Sequence, residues 1–213
     1  MKERPIIFSA PMVRAILAGL KTTTRRVVRP QPEAIHGGEP YWSVGGYRVW
    51  EYRETQDVLR KGGNPLRCPY GQPGDRLWTR EAYKTLADWD HYPPREIART
   101  APIWYLADGP APEGYGRYRH GKFMMRWMSR GLDEITAVRV EQLNEISEAD
   151  CLLEGIPSIT DDAAWSKPIP ARPNLRAIYG GAYCRLWESI NGPGSWAANP
   201  WVWVIEFRRA EAK

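Results

Sequence analysis

The 19 glycines and 19 prolines of this chain gather at 30–46, 62–74, 92–116, 156–174 and 191–200. That clustering decides most of what the chain can become. Glycine and proline punctuate regular structure, so each stretch reads as turn or loop. The pieces left between them are mostly too short for the helices of a bundle and suit strands. Strands are expected at Ile6–Phe8, Thr24–Val28, Tyr47–Arg53, Arg76–Glu81, Ile103–Leu106, Phe123–Met128, Glu134–Leu143 and Trp201–Arg208. The clearest is Glu134–Leu143, where apolar and polar residues alternate. Pro73-Gly74-Asp75 supplies a tight turn ahead of Arg76.

Three helices fit the remaining pattern. Ser9 can cap one that carries Pro11 in its first turn and stops at Gly19. Ser147 can cap a short one, Glu148–Glu154, with Asp150 at N3 and Gly155 as its stop. A third covers about Ala182–Ile190, with Tyr183, Leu186, Trp187 and Ile190 along one stripe. Irregularly spaced strands with few helices make an α+β fold, read here as a small closed or nearly closed β-barrel decorated by short helices. A single domain over 1–213 is expected, with long loop insertions that can cap the barrel.

Composition bounds the function classes. A chain of 213 residues buries enough surface to fold without staples. Cys68, Cys151 and Cys184 are odd in number and lack a CxxC, against a disulfide framework or zinc site. His36, His91 and His120 lack ligand spacing, so a His-ligated catalytic metal is not expected. No apolar run reaches the roughly 20 residues of a membrane span, and the start MKERPIIFSAP has no signal-peptide core. A cytoplasmic protein is expected. The net charge is +5 and the pI about 9.1, with 11 Trp and 11 Tyr against 3 Phe. Basic charge with many aromatic faces suits a nucleobase beside a phosphate, though Trp and Tyr equally fill the seams of a proline-rich core.

Three groups of residues can carry chemistry. Beyond Gly19 stand Lys21, Thr22, Thr23, Thr24, Arg25 and Arg26. A threonine hydroxyl becomes a nucleophile once a base takes its proton, and a neutral lysine is such a base. In a regular strand Lys21 and Thr24 face opposite sides, so they cooperate only if the chain turns between them; the same segment also reads as a solvated edge strand. Glu154, at the C-terminus of the short helix, faces the negative end of the helix dipole, which suits a general acid. Arg76, Trp78 and Arg80 share one face of a strand and can hold a phosphate and stack a base, or serve as a barrel rim.

The blocks IIFSAPMVRAILAGLKTTTRRVV, CPYGQPGDRLWTREAY, EITAVRVEQLNEISEADCLLEGI and NPWVWVIEFRR resemble the ASCH domain family of the PUA-like superfamily, small β-barrels associated with RNA and modified-base recognition. The resemblance spans nearly the whole chain for phage- and prophage-type members. For the minimal ASCH enzymes it covers about 6–28, 71–82, 134–154 and 201–208, leaving insertions at about 30–70, 84–122 and 156–180. Those minimal enzymes are amidohydrolases that deacylate N4-acetylcytidine and related N4-acylcytosines. The resemblance implies Lys21, Thr24 and Glu154 as the catalytic set, with no metal and no organic cofactor required. Thr22, Arg25, Arg26, Arg76, Trp78 and Arg80 are then candidates for substrate contact. The partner is a modified cytosine nucleoside or RNA. A non-catalytic RNA or modified-base reader, or a ribonuclease built on the same cluster, are the other readings.

Overall fold

The computed structural model describes residues 1–31, 67–156 and 178–210, with the backbone of three strands between them at 34–36, 39–44 and 47–51. Among the described residues, ten strands run in chain order: β1 (Glu3–Ile7), β2 (Thr23–Val27), β3 (Ala34–His36), β4 (Glu39–Val44), β5 (Tyr47–Glu51), β6 (Arg76–Arg80), β7 (Tyr83–Thr85), β8 (Ile103–Tyr105), β9 (Leu132–Gln142) and β10 (Trp201–Arg209). The α-helices are α1 (Ala10–Leu17), α2 (Glu148–Leu153) and α3 (Ile178–Asn191). The fold is α+β. Its main sheet has the order β1-β6-β9-β10-β2. Among the described residues this sheet is open, with β1 and β2 at its two ends, and so the expected barrel closure is corrected to an open sheet. β3-β4-β5 and β7-β8 form small sheets of their own. Parts of the expected insertions, 32–33, 37–38, 45–46, 52–66 and 157–177, lie outside the described residues, so the cover expected of them does too.

The chain forms two compact units, each assembled from separate stretches. The first comprises 1–22, 70–136 and 207–213; the second comprises 23–69 and 137–206. In the first, β1 lies parallel to β6 and β6 antiparallel to β9. The turn foreseen at Pro73-Gly74-Asp75 forms, closed by the Asp75 amide on the Gln72 carbonyl at 2.9 Å. Leu77, Trp78 and Thr79 are buried in succession, because a central strand packs on both faces. The β7–β8 hairpin covers a cluster of Tyr83, Ile97, Met124 and Met128.

Here the strand expected over Phe123–Met128 is replaced by two turns of 3-10 helix, Gly121–Phe123 and Arg126–Met128. The burial explains the difference. Gly121, Met124 and Met128 turn inward while Phe123 and Met125 face solvent, a spacing of three to four rather than two. α1 forms where expected and buries Val13 and Ile16, but the Ser9 side chain makes no capping hydrogen bond.

The second unit holds the antiparallel pair β10–β2, with Ile205 opposite Thr24 and Val204 opposite Arg25. Its core joins Leu143, Cys151, Ile156, Ala182, Tyr183, Trp187, Val202 and Val204. α3 is four residues longer at its start than the stripe suggested. Tyr183 and Trp187 are buried on it, whereas Ile190 is exposed.

Candidate active site

The site grows from the way the second unit ends a helix. Ser147 and Asp150 form the capping box foreseen for α2: the Asp150 amide donates to Ser147 Oγ (3.1 Å), and Asp150 Oδ2 accepts from the Ser147 amide (3.3 Å). Gly155 adopts φ +82°, a left-handed conformation that glycine takes without strain, and the helix stops there. Glu154 therefore occupies the C-cap, and its side chain is only 2% exposed.

A buried carboxylate needs partners, and Glu154 has them. Arg25 Nη1 approaches its Oε1 at 3.3 Å, and the Tyr183 hydroxyl donates to the same oxygen at 3.3 Å. The Arg25 side chain is fully buried and serves two further acids. Its Nε and Nη2 donate to Glu141 Oε1 (2.9 and 2.5 Å), and Nη2 lies 3.3 Å from Asp150 Oδ2. Arg139 continues the network to Glu141, Asp150 and Glu206. Among the described residues, four carboxylates thus meet two guanidiniums.

Burial alone would loosen the Arg25 proton, but Glu154 and Glu141 outweigh it and hold the guanidinium above its ordinary range. Asp150 stays below the usual carboxylate range: burial opposes this, and the Ser147 hydroxyl and Arg25 overcome it. The Tyr183 phenol is driven well above its ordinary value, first by burial and then by the Glu154 charge.

Sequence reasoning missed Tyr183, Glu141 and Asp150 as site residues. Asp150 was visible as a capping residue. Glu141 was visible as a polar position of the alternating strand. Nothing in the local pattern linked either to Arg25, which is more than 100 residues away in the chain. Arg25 itself, expected at the substrate, pairs with these carboxylates.

β2 is regular from Thr23, so Thr24 and Arg26 face one side of the strand and Thr23, Arg25 and Val27 the other. Val27 packs on the α2–α3 core; Thr24 is on the opposite side, 3% exposed. Because β2 begins at Thr23, Lys21 lies outside the regular strand, and the alternation that would set it against Thr24 does not apply. The chain turns at Gly19, φ +73°.

Lys21 belongs to the first unit. It is 1% exposed, with Nζ 5.8 Å from the centre of the Phe8 ring. Thr22 is half-buried and its carbonyl accepts from the Phe207 amide at 2.8 Å. Arg26 is half-buried.

Arg76, Trp78 and Arg80 do share one face of β6, in the first unit. The Trp78 ring is 7% exposed and carries the Arg80 guanidinium at 4.6 Å and that of Arg126 at 6.0 Å. Arg126 also donates to Glu3 at 2.7 Å. The indole face expected to receive a base is thus already stacked by arginine.

Among the described residues, no group of three or more His, Cys, Asp or Glu could hold a metal ion, and no helix is long and apolar enough to cross a membrane. No family model, curated protein or solved structure matches this chain.

Proposed function

We propose that this chain is an ASCH-type, PUA-like amidohydrolase that removes the acyl group from N4-acylated cytosine, as base, nucleoside or larger unit. The observation that carries the reading is the burial of Lys21, Thr24, Arg25 and Glu154. A reader of nucleic acid needs its cations at the surface to meet phosphates. Here the Arg25 guanidinium is committed to three carboxylates, and Lys21 is almost wholly inside. Buried amine, hydroxyl and carboxyl groups cost stability that ordinary surface residues would not, and catalysis is a reason to keep them.

The chemistry runs in two halves. Lys21 Nζ, acting as a neutral amine, takes the proton of Thr24 Oγ1. The alkoxide oxygen attacks the acyl carbonyl. As the tetrahedral intermediate collapses, the carbon–nitrogen bond breaks and the exocyclic nitrogen of cytosine takes a proton from the Glu154 carboxyl. An ester on Thr24 remains. Water, giving a proton to Glu154, attacks that ester; the Lys21 ammonium returns its proton to the departing Thr24 oxygen, so the carboxylic acid leaves and threonine and amine are both restored.

The reading requires the Glu154 carboxyl to serve the Thr24 side from past β2, an outer strand of its sheet among the described residues. Incubation with N4-acetylcytidine should yield cytidine and acetate. Lys21→Ala and Thr24→Ala should each abolish turnover, and hydrolysis that survives either change removes the mechanism. Tight, salt-sensitive binding of RNA without turnover would select the reader, and degraded RNA with intact N4-acetylcytidine the ribonuclease.

A further inference from the structure

Tyr183 belongs to no motif, yet α3 delivers its hydroxyl to Glu154. The ring is 3% exposed and fixed on two sides: Trp187 lies 6.3 Å away, tilted by 42°, and Trp196 meets it edge-on at 6.1 Å and 74°. The ring so held, its phenol oxygen donates to Glu154 Oε1 at 3.3 Å. A tyrosine kept only for packing gains nothing from its hydroxyl, since a buried hydroxyl is costly unless hydrogen-bonded and phenylalanine fills the same space.

We infer that Tyr183 is a positioning residue for Glu154, holding Oε1 so that the carboxyl keeps one orientation through the reaction. The inference rests on the amidohydrolase reading above. The same oxygen receives Arg25 Nη1, so the two donors arrive from β2 and α3 and fix the carboxyl from two elements. Among the described residues, the charged and titratable groups near it include Asp150 and Cys151 of α2 and Glu141 of β9, and the Arg25 guanidinium pairs with both of those acids. Tyr183 stays protonated at every working pH, because burial and the Glu154 charge hold its proton. It is therefore a permanent donor. A hydrogen bond to the ionised carboxylate favours that form, so its loss lets the carboxyl keep its proton to higher pH.

Tyr183→Phe is the test, since phenylalanine preserves both ring contacts. Its melting temperature confirms the fold. With N4-acetylcytidine, kcat is expected to fall about tenfold, the scale of one hydrogen bond to a charged group, with KM within about twofold. Whichever limb of the pH–rate profile Glu154 controls should move upward. An unmoved limb with wild-type kcat, or a change confined to KM, overturns the inference.

A second measurement needs no turnover. The Glu154 carboxyl is titrated by infrared difference spectroscopy, with Glu154→Gln as the blank, in the wild-type protein and in Tyr183→Phe. An unmoved titration overturns the inference even where hydrolysis proceeds. A titration that moves in a protein without hydrolysis upholds the contact and overturns the amidohydrolase reading alone.

Discussion

Arg25 shows how one residue can be committed before any ligand arrives. Its guanidinium meets Glu141, Asp150 and Glu154 at once, with no solvent reaching its side chain. A planar fork of donors can do this; a lysine ammonium, one compact charge, cannot span three carboxylates. Arg25→Lys therefore leaves at least one buried acid without its donor. Breaking a buried pair typically costs about 3–5 kcal/mol. The partial exposure of Glu141 and Asp150 discounts that, so a loss of about 2–3 kcal/mol is expected, read as a fall in melting temperature of roughly 5–10 °C. A variant that melts within about 2 °C of wild type would show that the arginine is not the hub described.

Glu141→Gln should cost less, because the amide oxygen that replaces Oε1 still accepts from Arg25 Nε and Nη2. Before the structure, Arg25 read as a substrate contact. Residue type and its place beside Thr24 were visible in the sequence. Its three partners were not, because two arrive on α2 and one on β9 from distant stretches of chain.

At the scale of elements, local signals translated well where short-range chemistry decides the outcome. The capping box of α2 and its glycine stop were legible because both are contacts within a few residues. The alternation of β9 and the apolar run of β10 were legible because strand period is written directly in side-chain order. The Met124–Met128 region was not: short apolar runs suit a strand or a 3-10 turn, and packing against Tyr83 chose between them. Closure of the sheet was not legible either, since it depends on strand pairing across the chain.

The end of α2 carries the element-scale prediction. Gly155→Ala puts a side chain at φ +82°, which costs about 1 kcal/mol, and the strain falls on the residue next to Glu154. Ser147→Ala removes the cap at the other end for a similar loss of about 1 kcal/mol. The two variants should melt alike. Turnover of N4-acetylcytidine should fall further in Gly155→Ala, because only that change displaces the carboxyl. Equal activity in both would mean that the helix stop does not position Glu154.

At the scale of the whole molecule, stability against pH is set by acids that pull in opposite directions. Asp75 is held below the ordinary carboxylate range by the Lys2 amide, and Asp150 by the groups around it. Their contribution is present above the unfolded pKa of about 4 and is lost as pH falls through their lower folded values. Asp133 acts in reverse. It is 1% exposed on β9 opposite Leu77, neither oxygen finds a hydrogen-bond partner among the described residues, and burial raises its pKa to about 6 despite Arg209 nearby.

The folded state therefore binds the Asp133 proton more tightly than the unfolded one, and stability drains away as pH rises from about 4 through 6. A shift of about two units corresponds to roughly 3 kcal/mol by neutral pH. Asp133→Asn removes the charge but keeps a buried polar group, so part of that cost should be recovered. The variant should melt roughly 5 °C above wild type at pH 7.5 and close to it at pH 4. Calorimetry across that range decides the matter. A melting difference that stays constant with pH would mean that the carboxylate is solvated or paired in solution, and that its burial is not what limits the fold at neutral pH.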